Sequence, residues 1–248
     1  MWSDEFNGDS LNRADWNVEI HEKGWVNNEL QEYVDSAENI QVKDVKLIIN
    51  PVKKVTDGDT GSTKEAASYT SGRVSTQNKQ TFIYGRFECR AKVPKGQGYL
   101  PAFWLMANDE NVYGQWPRCG EIDCMEVMGQ ETNKAYGTLH YGNPHSQSQG
   151  TYTITDGADF SDDFHIFTCD WEPGKITWYV DGVKYHEESD WHSTTVGQGT
   201  LAYPAPFDQP FYLLANLAIG GSFDLESAQN ITPQFPAIFE IDYIRVYQ

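Results

Sequence analysis

The chain alternates apolar and polar side chains with a period of two in several places. Within Thr81–Val93, every second residue from Phe87 to Val93 is apolar and the residues between them are charged. Lys175–Val180 alternates likewise, and Asp181-Gly182 then offers the two residues of a tight hairpin turn. Because the side chains of a strand point to opposite faces in turn, this period predicts strands with one buried face. No stretch shows helical periodicity with capping residues over ten positions.

Short apolar runs elsewhere predict further strands, at Lys46–Ile49, Ala102–Met106, Phe164–Trp171, Phe211–Ile219 and Ile238–Tyr247. Many strands joined by turns, without helices, predict an all-β sandwich or barrel. The 248 residues contain no linker, repeat or shift in composition, so we expect one catalytic domain over 1–248. Two polar stretches, Asp57–Ala67 and Gln147–Ser161, are predicted to be surface loops.

The balance of charges argues against two classes of partner. Lys and Arg number 18 against 36 Asp and Glu, a net charge of −18. Nucleic acids and anionic membranes both attract positive charge, so we expect neither as a partner. No apolar run has the length of a membrane span, and no signal peptide follows Met1. The aromatic content of 14% suits both a β core and the stacking of sugar rings.

Four cysteines are present, and their spacing forms no compact disulfide framework. Along an extended strand Cys119 and Cys124 would lie about 16 Å apart, well beyond disulfide reach. We therefore expect buried free thiols at Cys89, Cys119, Cys124 and Cys169. Cys-x-x-Cys and His-Glu-x-x-His motifs are absent from the sequence, which argues against a catalytic zinc site.

Three carboxylates fall within six positions at Glu121, Asp123 and Glu126. On a regular strand Glu121 and Asp123 share a face, whereas Glu126 points to the other. A β-bulge at Cys124-Met125 would bring all three to one face. Acidic residues so close repel one another and add nothing to a strand's stability. The alternative to a catalytic role is that they form an ordinary solvent-exposed face of the strand. The preceding Trp116–Gly120 favours a catalytic cleft, since breaking a glycosidic bond requires two carboxyl groups.

The run from Glu121 to Glu126 resembles the signature of glycoside hydrolase family 16, in the subgroup with one extra residue. The last strand of that family is similar to Asp242–Tyr247, and the likeness extends from Phe6 to Gln248. Other segments narrow the resemblance to laminarinase-type endo-β-1,3-glucanases, namely Gly24–Gln31, Trp116–Gly120 and Leu213–Gly221.

This resemblance implies a jelly-roll sandwich of two curved antiparallel sheets, with a substrate cleft on the concave face. It also implies hydrolysis with retention of configuration, with Glu121 as nucleophile, Glu126 as acid/base and Asp123 tuning their protonation. Strand geometry is compatible with these roles. Two Glu side chains leaning inward from Cα atoms about 13 Å apart can approach to the roughly 5–5.5 Å that retaining enzymes use.

The resemblance also implies substrate contacts for several side chains. Trp116 matches a sugar-stacking tryptophan of the family. Trp104 alternates with apolar neighbours, so core packing is its alternative to cleft contact. Arg73 matches an arginine that hydrogen-bonds sugar hydroxyls, with an ordinary surface ion pair as the alternative.

Further polar residues are implied at the ends of the cleft. Asn28 would bond a distal glucose from a rim loop, and His140 would lie on the leaving-group side. Asn216 would either contact substrate or satisfy buried backbone groups. The resemblance implies a structural calcium remote from the cleft, with Glu5 and Asp242 as its expected donors and two unrelated surface acids as the alternative. No cofactor is expected in the chemistry itself.

The sequence therefore predicts a secreted, monomeric, endo-acting hydrolase of polysaccharide. Its expected substrates are laminarin-like β-1,3-glucans and mixed β-1,3/1,4-glucans. One alternative is a relative that cuts another polysaccharide such as agar, although a net charge of −18 disfavours sulfated chains. A second alternative is a glucan-binding lectin of the same fold without catalysis. The complete set of three carboxylates counts against the lectin, because binding alone does not require them.

Overall fold

The computed structural model describes residues 1–54, 68–223 and 235–248. The predicted loop Asp57–Ala67 lies outside these ranges. Every regular element in the three ranges is a strand. The first ten are β1 Trp2–Asp4, β2 Asn17–Val18, β3 Gln31–Tyr33, β4 Ile40–Val42, β5 Leu47–Ile49, β6 Val52–Lys54, β7 Ser68–Ser71, β8 Arg73–Ser75, β9 Gly85–Lys92 and β10 Tyr99–Ala107. The others are β11 Glu121–Glu126, β12 Lys134–Tyr141, β13 Ser146–Thr153, β14 His165–Glu172, β15 Lys175–Val180, β16 Val183–Glu188, β17 Thr194–Thr195, β18 Gly199–Thr200, β19 Phe211–Ile219 and β20 Phe239–Tyr247.

Two large antiparallel sheets form the sandwich. One has eight strands, in the order β16-β15-β14-β9-β20-β5-β4 with β1 paired to β20. The other has seven strands, in the order β13-β12-β11-β10-β19-β8-β2. Two strands, β10 and β11, thus lie in the middle of the seven-stranded sheet and are flanked on both sides. This sandwich confirms the predicted all-β jelly-roll fold.

The core lies between the two large sheets and is built by the predicted alternation. In β9, Phe87, Cys89 and Ala91 are fully buried, whereas the charged residues between them are partly exposed. The hairpin from β15 to β16 turns at Asp181-Gly182, whose φ angles of 48° and 78° are those of a turn that matches strand twist. All four cysteines are buried free thiols, as the sequence predicted.

One loop prediction was wrong. The first half of the predicted loop Gln147–Ser161 belongs to β13, Ser146–Thr153, at the edge of the seven-stranded sheet. An edge strand with five of its eight residues exposed buries little apolar surface, so its composition of Ser, Gln, Gly and Thr is typical of a loop. The described ranges contain no helix long and apolar enough to cross a membrane.

Candidate active site

The catalytic run occupies β11, and its pairing shifts at the positions where a bulge was predicted. Against β10, Asp123 pairs with Trp104 and Met125 with Phe103, so Cys124 is an extra residue. Against β12, the register also shifts between Asp123 and Glu126. Cys124 and Met125 both point into the core and are almost fully buried. The shift therefore leaves the carboxylates of Glu121, Asp123 and Glu126 on the cleft side of the sheet, where all three line one pocket.

A buried tryptophan from the opposite sheet supports this irregular segment. The indole Nε1 of Trp178 on β15 donates a hydrogen bond of 2.8 Å to the carbonyl oxygen of Asp123. Gly137 on β12 leaves the space for that ring, since a Cβ there would lie 2.4 Å from Cδ1 of Trp178. At the shifted position, the buried carbonyl of Asp123 thus receives its hydrogen bond from a side chain of the opposite sheet.

The three carboxyl groups resist ionisation together. Burial, and then the charge of Asp123, raises the pKa of Glu121 to about 8. Burial, and then the charge of Glu121, raises the pKa of Glu126 to about 7. Burial and Glu126 likewise raise the pKa of Asp123 well above its ordinary value. Near neutral pH the set therefore retains at least one proton, as acid/base catalysis of glycoside hydrolysis requires.

Two neighbours distinguish Glu121 from Glu126. The Trp116 indole Nε1 donates a 2.7 Å hydrogen bond to Oε2 of Glu121, which lowers the pKa of that carboxyl against the effect of burial. Glu126 receives no side-chain or backbone hydrogen bond from the described residues. His140 pairs across the sheet with Glu121. The pKa of Glu121, about 8, lies above that of Glu126, about 7, so their order alone would leave the proton on Glu121. The Trp116 donor, which Glu126 lacks, is the feature that supports the nucleophile role implied by the resemblance, because it stabilises the ionised form of Glu121.

A buried arginine organises the other end of the cleft. Arg73 is only 7% exposed, and its Nε donates a 2.5 Å hydrogen bond to Glu19. Its guanidinium lies over three rings, 4.8 Å from the centroid of Trp104, 5.3 Å from that of Trp25 and 6.0 Å from that of Tyr33. Burial opposes ionisation of Glu19, yet Arg73 and neighbouring donors hold the pKa of Glu19 below its ordinary value. Arg73 is therefore an ion-paired residue that also lines the cleft, rather than a surface salt bridge.

Trp104 and Asn216 form one hydrogen-bonded unit. Trp104 Nε1 donates to Oδ1 of Asn216 at 2.8 Å, and Asn216 Nδ2 donates to the hydroxyl of Tyr33 at 3.1 Å. Both residues line the cleft. The amide of Asn216 thus fixes the Trp104 ring, and its hydrogen-bonding groups are used by side chains rather than by backbone.

The cleft has a volume of about 610 Å³ and runs along the face of the seven-stranded sheet that points away from the core. Trp25 and Trp116, with 52% and 46% of their surfaces exposed, stand on its walls. Sequence reasoning placed several residues of the site and missed others that also line it, including Glu19, His21, Trp25, Glu29, Glu110 and Tyr212. Trp25 lies within a segment that carried the family resemblance, whereas nothing around Glu19 signals a role.

Asn28 lies beside the cleft, not among the residues that line it. Its neighbours Asn27 and Glu29 are lining residues, whereas the Asn28 side chain is exposed and approaches Ser222 at 3.5 Å. From this position at the rim, Asn28 could contact only a substrate long enough to extend beyond the cleft. Contact between Asn28 and a distal sugar stays a prediction.

The two carboxylates expected to share calcium are each engaged by an arginine. Glu5 accepts two hydrogen bonds from Arg245, at 2.9 and 2.8 Å, and Asp242 accepts one from Arg90 at 2.6 Å. Their oxygens are thus used by cations of this chain, and the pair as arranged does not fit a calcium ion. Within the described ranges, one group of side chains has metal-ligand spacing, with ligand atoms within 4.8 Å of one another, and it consists of Glu121, Asp123 and His140. These belong to the catalytic set.

A β-sandwich whose open cleft carries paired carboxyl groups between exposed tryptophans defines a glycoside hydrolase. Residues 15–243 match the profile of Glycosyl hydrolases family 16, and the chain belongs to this family. The predicted family resemblance is thereby confirmed.

Named relatives agree with this assignment. Glucan endo-1,3-beta-glucosidase A1 of Niallia circulans is 39% identical over 100% of this chain, which spans 37% of that protein. Glucan endo-1,3-beta-glucosidase of Cryptopygus antarcticus is 41% identical over 90% of the chain and 80% of that protein. The solved laminarinase catalytic domain of Thermotoga maritima MSB8 superposes with a TM-score of 0.81 at 37% identity, covering 100% of this chain and 97% of the other.

Proposed function

We propose that this chain is an endo-acting hydrolase of β-1,3-glucans that retains the configuration of the anomeric carbon. The observation that carries the proposal is the placement of Glu121 and Glu126 in one cleft, both with raised pKa and with a hydrogen-bond donor on Glu121 only. The names of the relatives support laminarin-like substrates and include mixed β-1,3/1,4-glucanases.

The reaction proceeds in two displacements. The Glu121 carboxylate attacks the anomeric carbon while the Glu126 carboxyl gives its proton to the departing glycosidic oxygen. A covalent glycosyl ester on Glu121 results. Glu126, now ionised, takes a proton from water, and the water oxygen displaces Glu121 from the anomeric carbon. Asp123 lies between the two and adds to the repulsion that keeps one proton in the site.

The cleft suits an internal stretch of a neutral chain. Its walls carry exposed Trp25 and Trp116, whose faces can stack on pyranose rings without any need for charge. Its lining residues come from five neighbouring strands of the seven-stranded sheet, so the cleft crosses the sheet face, which suits binding of an internal stretch of polymer. An extracellular location, a monomeric state and structural calcium stay predictions.

The test is chemical rescue of two variants with laminarin and an aryl β-laminaribioside. Glu121→Gln should lose nearly all turnover, on the order of the 10⁴-fold loss typical of a missing nucleophile. Glu126→Ala should keep some turnover of the aryl substrate, since its leaving group needs little protonation. Azide should restore its rate and give the β-glycosyl azide.

Exposed Glu187→Gln is the matched control and should behave as the parent. An α-glycosyl azide from Glu126→Ala, with the β product from a Glu121→Ala variant, would show that the two roles are exchanged. A protein that binds laminarin tightly but releases no reducing sugar would instead be the predicted lectin.

A further inference from the structure

A second histidine stands behind His140, at the turn between β12 and β13. Nδ1 of His140 and Nε2 of His145 are 2.8 Å apart, and the two rings stack at 5.0 Å with 21° between their planes. The other ring nitrogen of His140, Nε2, lies 3.1 Å from Oδ2 of Asp123. His145 also stands 5.2 Å from the Trp116 ring, at the exposed side of the site. The ring nitrogens of His145 and His140 thus form a line from the solvent to the carboxyl of Asp123.

We propose that His145 is a positioning residue that fixes the tautomer of His140. Two ring nitrogens at 2.8 Å must share one proton, so one donates and the other accepts. If His145 Nε2–H donates, the neutral His140 ring carries its own proton on Nε2 and presents it to Asp123. If His140 Nδ1–H donated instead, its Nε2 lone pair would face Oδ2 of Asp123 at 3.1 Å, which is repulsive unless Asp123 itself carries the proton.

The state of Asp123 favours the first arrangement. Oδ2 of Asp123 is buried and accepts no N–H or hydroxyl hydrogen bond from the described residues, although the Asp123 carboxyl shares a hydrogen bond with the carboxyl of Glu121. The nearby His140 Nε2 is outside hydrogen-bond alignment as placed, and a small rotation of the ring would bring a proton toward that oxygen. A donor from His145 thus provides the partner that Oδ2 lacks, through His140.

The consequence for the reaction follows from the groups that face His140. These are Asp123, Glu121, Glu126 and His145, and a positive His140 would lower the pKa of both glutamates. The His145 donor occupies Nδ1, so His140 stays neutral while still serving Asp123. Glu126 therefore keeps the proton that the leaving group needs. This inference rests on the proposed function for its rate effects, although the tautomer itself does not.

The direct measurement is the tautomer of His140, by ¹⁵N ring spectra of the full chain assigned with a His140→Gln variant. The parent should show His140 protonated at Nε2 with Nδ1 as acceptor. His145→Phe keeps a stacking ring but has no donor, and should give a mixture of tautomers or a doubly protonated ring. His145→Gln places an amide N–H near the original Nε2 and should restore the parent state.

Kinetics separates positioning from contact with sugar. His145→Phe should lower kcat about tenfold, the effect of one lost hydrogen bond, with KM unchanged. His145→Gln should stay within about threefold of the parent on the same reasoning. The loss of kcat should be larger for laminarin than for an aryl β-laminaribioside, because an aryl leaving group needs little protonation, and it should accompany the change in the His140 tautomer. Exposed His192→Phe is the control and should change neither rate nor spectrum.

Two results would overturn the proposal. One is an Nδ1-protonated His140 in the parent, which would mean that Asp123 is the donor. The other is a His145→Phe defect confined to KM or to laminarin, with the His140 tautomer unchanged, which would make His145 a substrate contact. A parent that does not hydrolyse glucan but shows the predicted tautomer would refute the proposed function and leave the positioning role intact.

Discussion

Burial contributes more to the raised pKa of Glu121, Asp123 and Glu126 than the charges beside them. Burial in the cleft therefore raises the pKa of all three carboxyl groups, and hydrogen-bond donors to individual carboxyls are needed to make their pKa values differ. Trp116 supplies such a donor to Glu121. A residue whose exposed face suits sugar stacking thus also helps to set the charge on the nucleophile.

The Trp116→Phe variant should separate these two effects, because it keeps a stacking ring and removes the indole N–H. Without that hydrogen bond the pKa of Glu121 rises, so the acidic limb of the kcat/KM profile should move up by about half to one pH unit. The basic limb reports loss of the last proton of the Glu121 and Glu126 pair, which is the proton given to the leaving group, and should move less. The parent profile over pH 4–9 is the reference. Limbs that move together, or a change in KM alone, would contradict the assignment.

Individual residues were predictable where local spacing carries the chemistry. The spacing of the carboxylates, an alternation plus one extra residue, was enough to predict the catalytic set of Glu121, Asp123 and Glu126. Glu19 and His145 do not, because their roles depend on Arg73 and His140, which only the folded sheet brings next to them. Asp242 illustrates the opposite case. The resemblance implied that it binds calcium, whereas its carboxylate accepts a hydrogen bond from Arg90, which lies 152 positions away in the sequence.

At the scale of strands, the bulge in β11 depends on three elements. β11 supplies the extra residue, β15 supplies the Trp178 donor, and β12 supplies the gap at Gly137. Trp178 is in turn stacked on His186 of β16 at 4.8 Å, so its ring has little freedom to move. The catalytic geometry is therefore held by packing from the opposite sheet, behind the cleft.

Gly137→Ala should show this dependence. The new Cβ would lie 2.4 Å from Trp178 and 2.5 Å from the hydroxyl of Tyr185, so the ring must shift away from Asp123. Overpacking of this kind costs about 1–3 kcal/mol, which corresponds to a loss of about 2–10 °C in melting temperature at this size. Because the Trp178 donor supports the bulge, kcat should fall as well.

The control for that substitution is Gly8→Ala, where the nearest atom would be 3.4 Å from the new Cβ. It should leave melting temperature and kcat near those of the parent. A Gly137→Ala protein as stable and as active as the parent would show that Trp178 does not hold the bulge.

Strands were predictable where one face is buried and the other is wet. β9 and β15 show the alternation clearly, since each packs one face on the core. β13 was not predicted, because the sequence of this polar edge strand shows no alternation of apolar and polar residues. The bounds of β12 were not predicted either, and Gly137, required by Trp178, interrupts its pattern. The tertiary contact that demands the glycine is invisible in the sequence.

Over the whole molecule, a net charge of −18 surrounds a cleft that is itself acidic. Among the described lining residues there is one arginine, Arg73, and it is already paired with Glu19. The carboxylates that line the cleft are Glu19, Glu29, Glu110, Glu121, Asp123 and Glu126. Stacking on rings and hydrogen bonds to hydroxyls serve a neutral polymer, whereas every anionic group on a substrate would meet repulsion.

This charge predicts how the enzyme treats a sulfated glucan. Lightly sulfated laminarin should be hydrolysed more slowly than neutral laminarin at about 20 mM NaCl, where charges act beyond 10 Å. Raising the salt to about 300 mM shortens that range and should increase kcat/KM for the sulfated chain severalfold. The rate on neutral laminarin, measured in parallel, should change little, which separates screening from a general effect of salt. If the sulfated chain remains equally slow at both salt concentrations, its sulfates are excluded by shape, and the acidic surface does not set the preference for neutral polysaccharide.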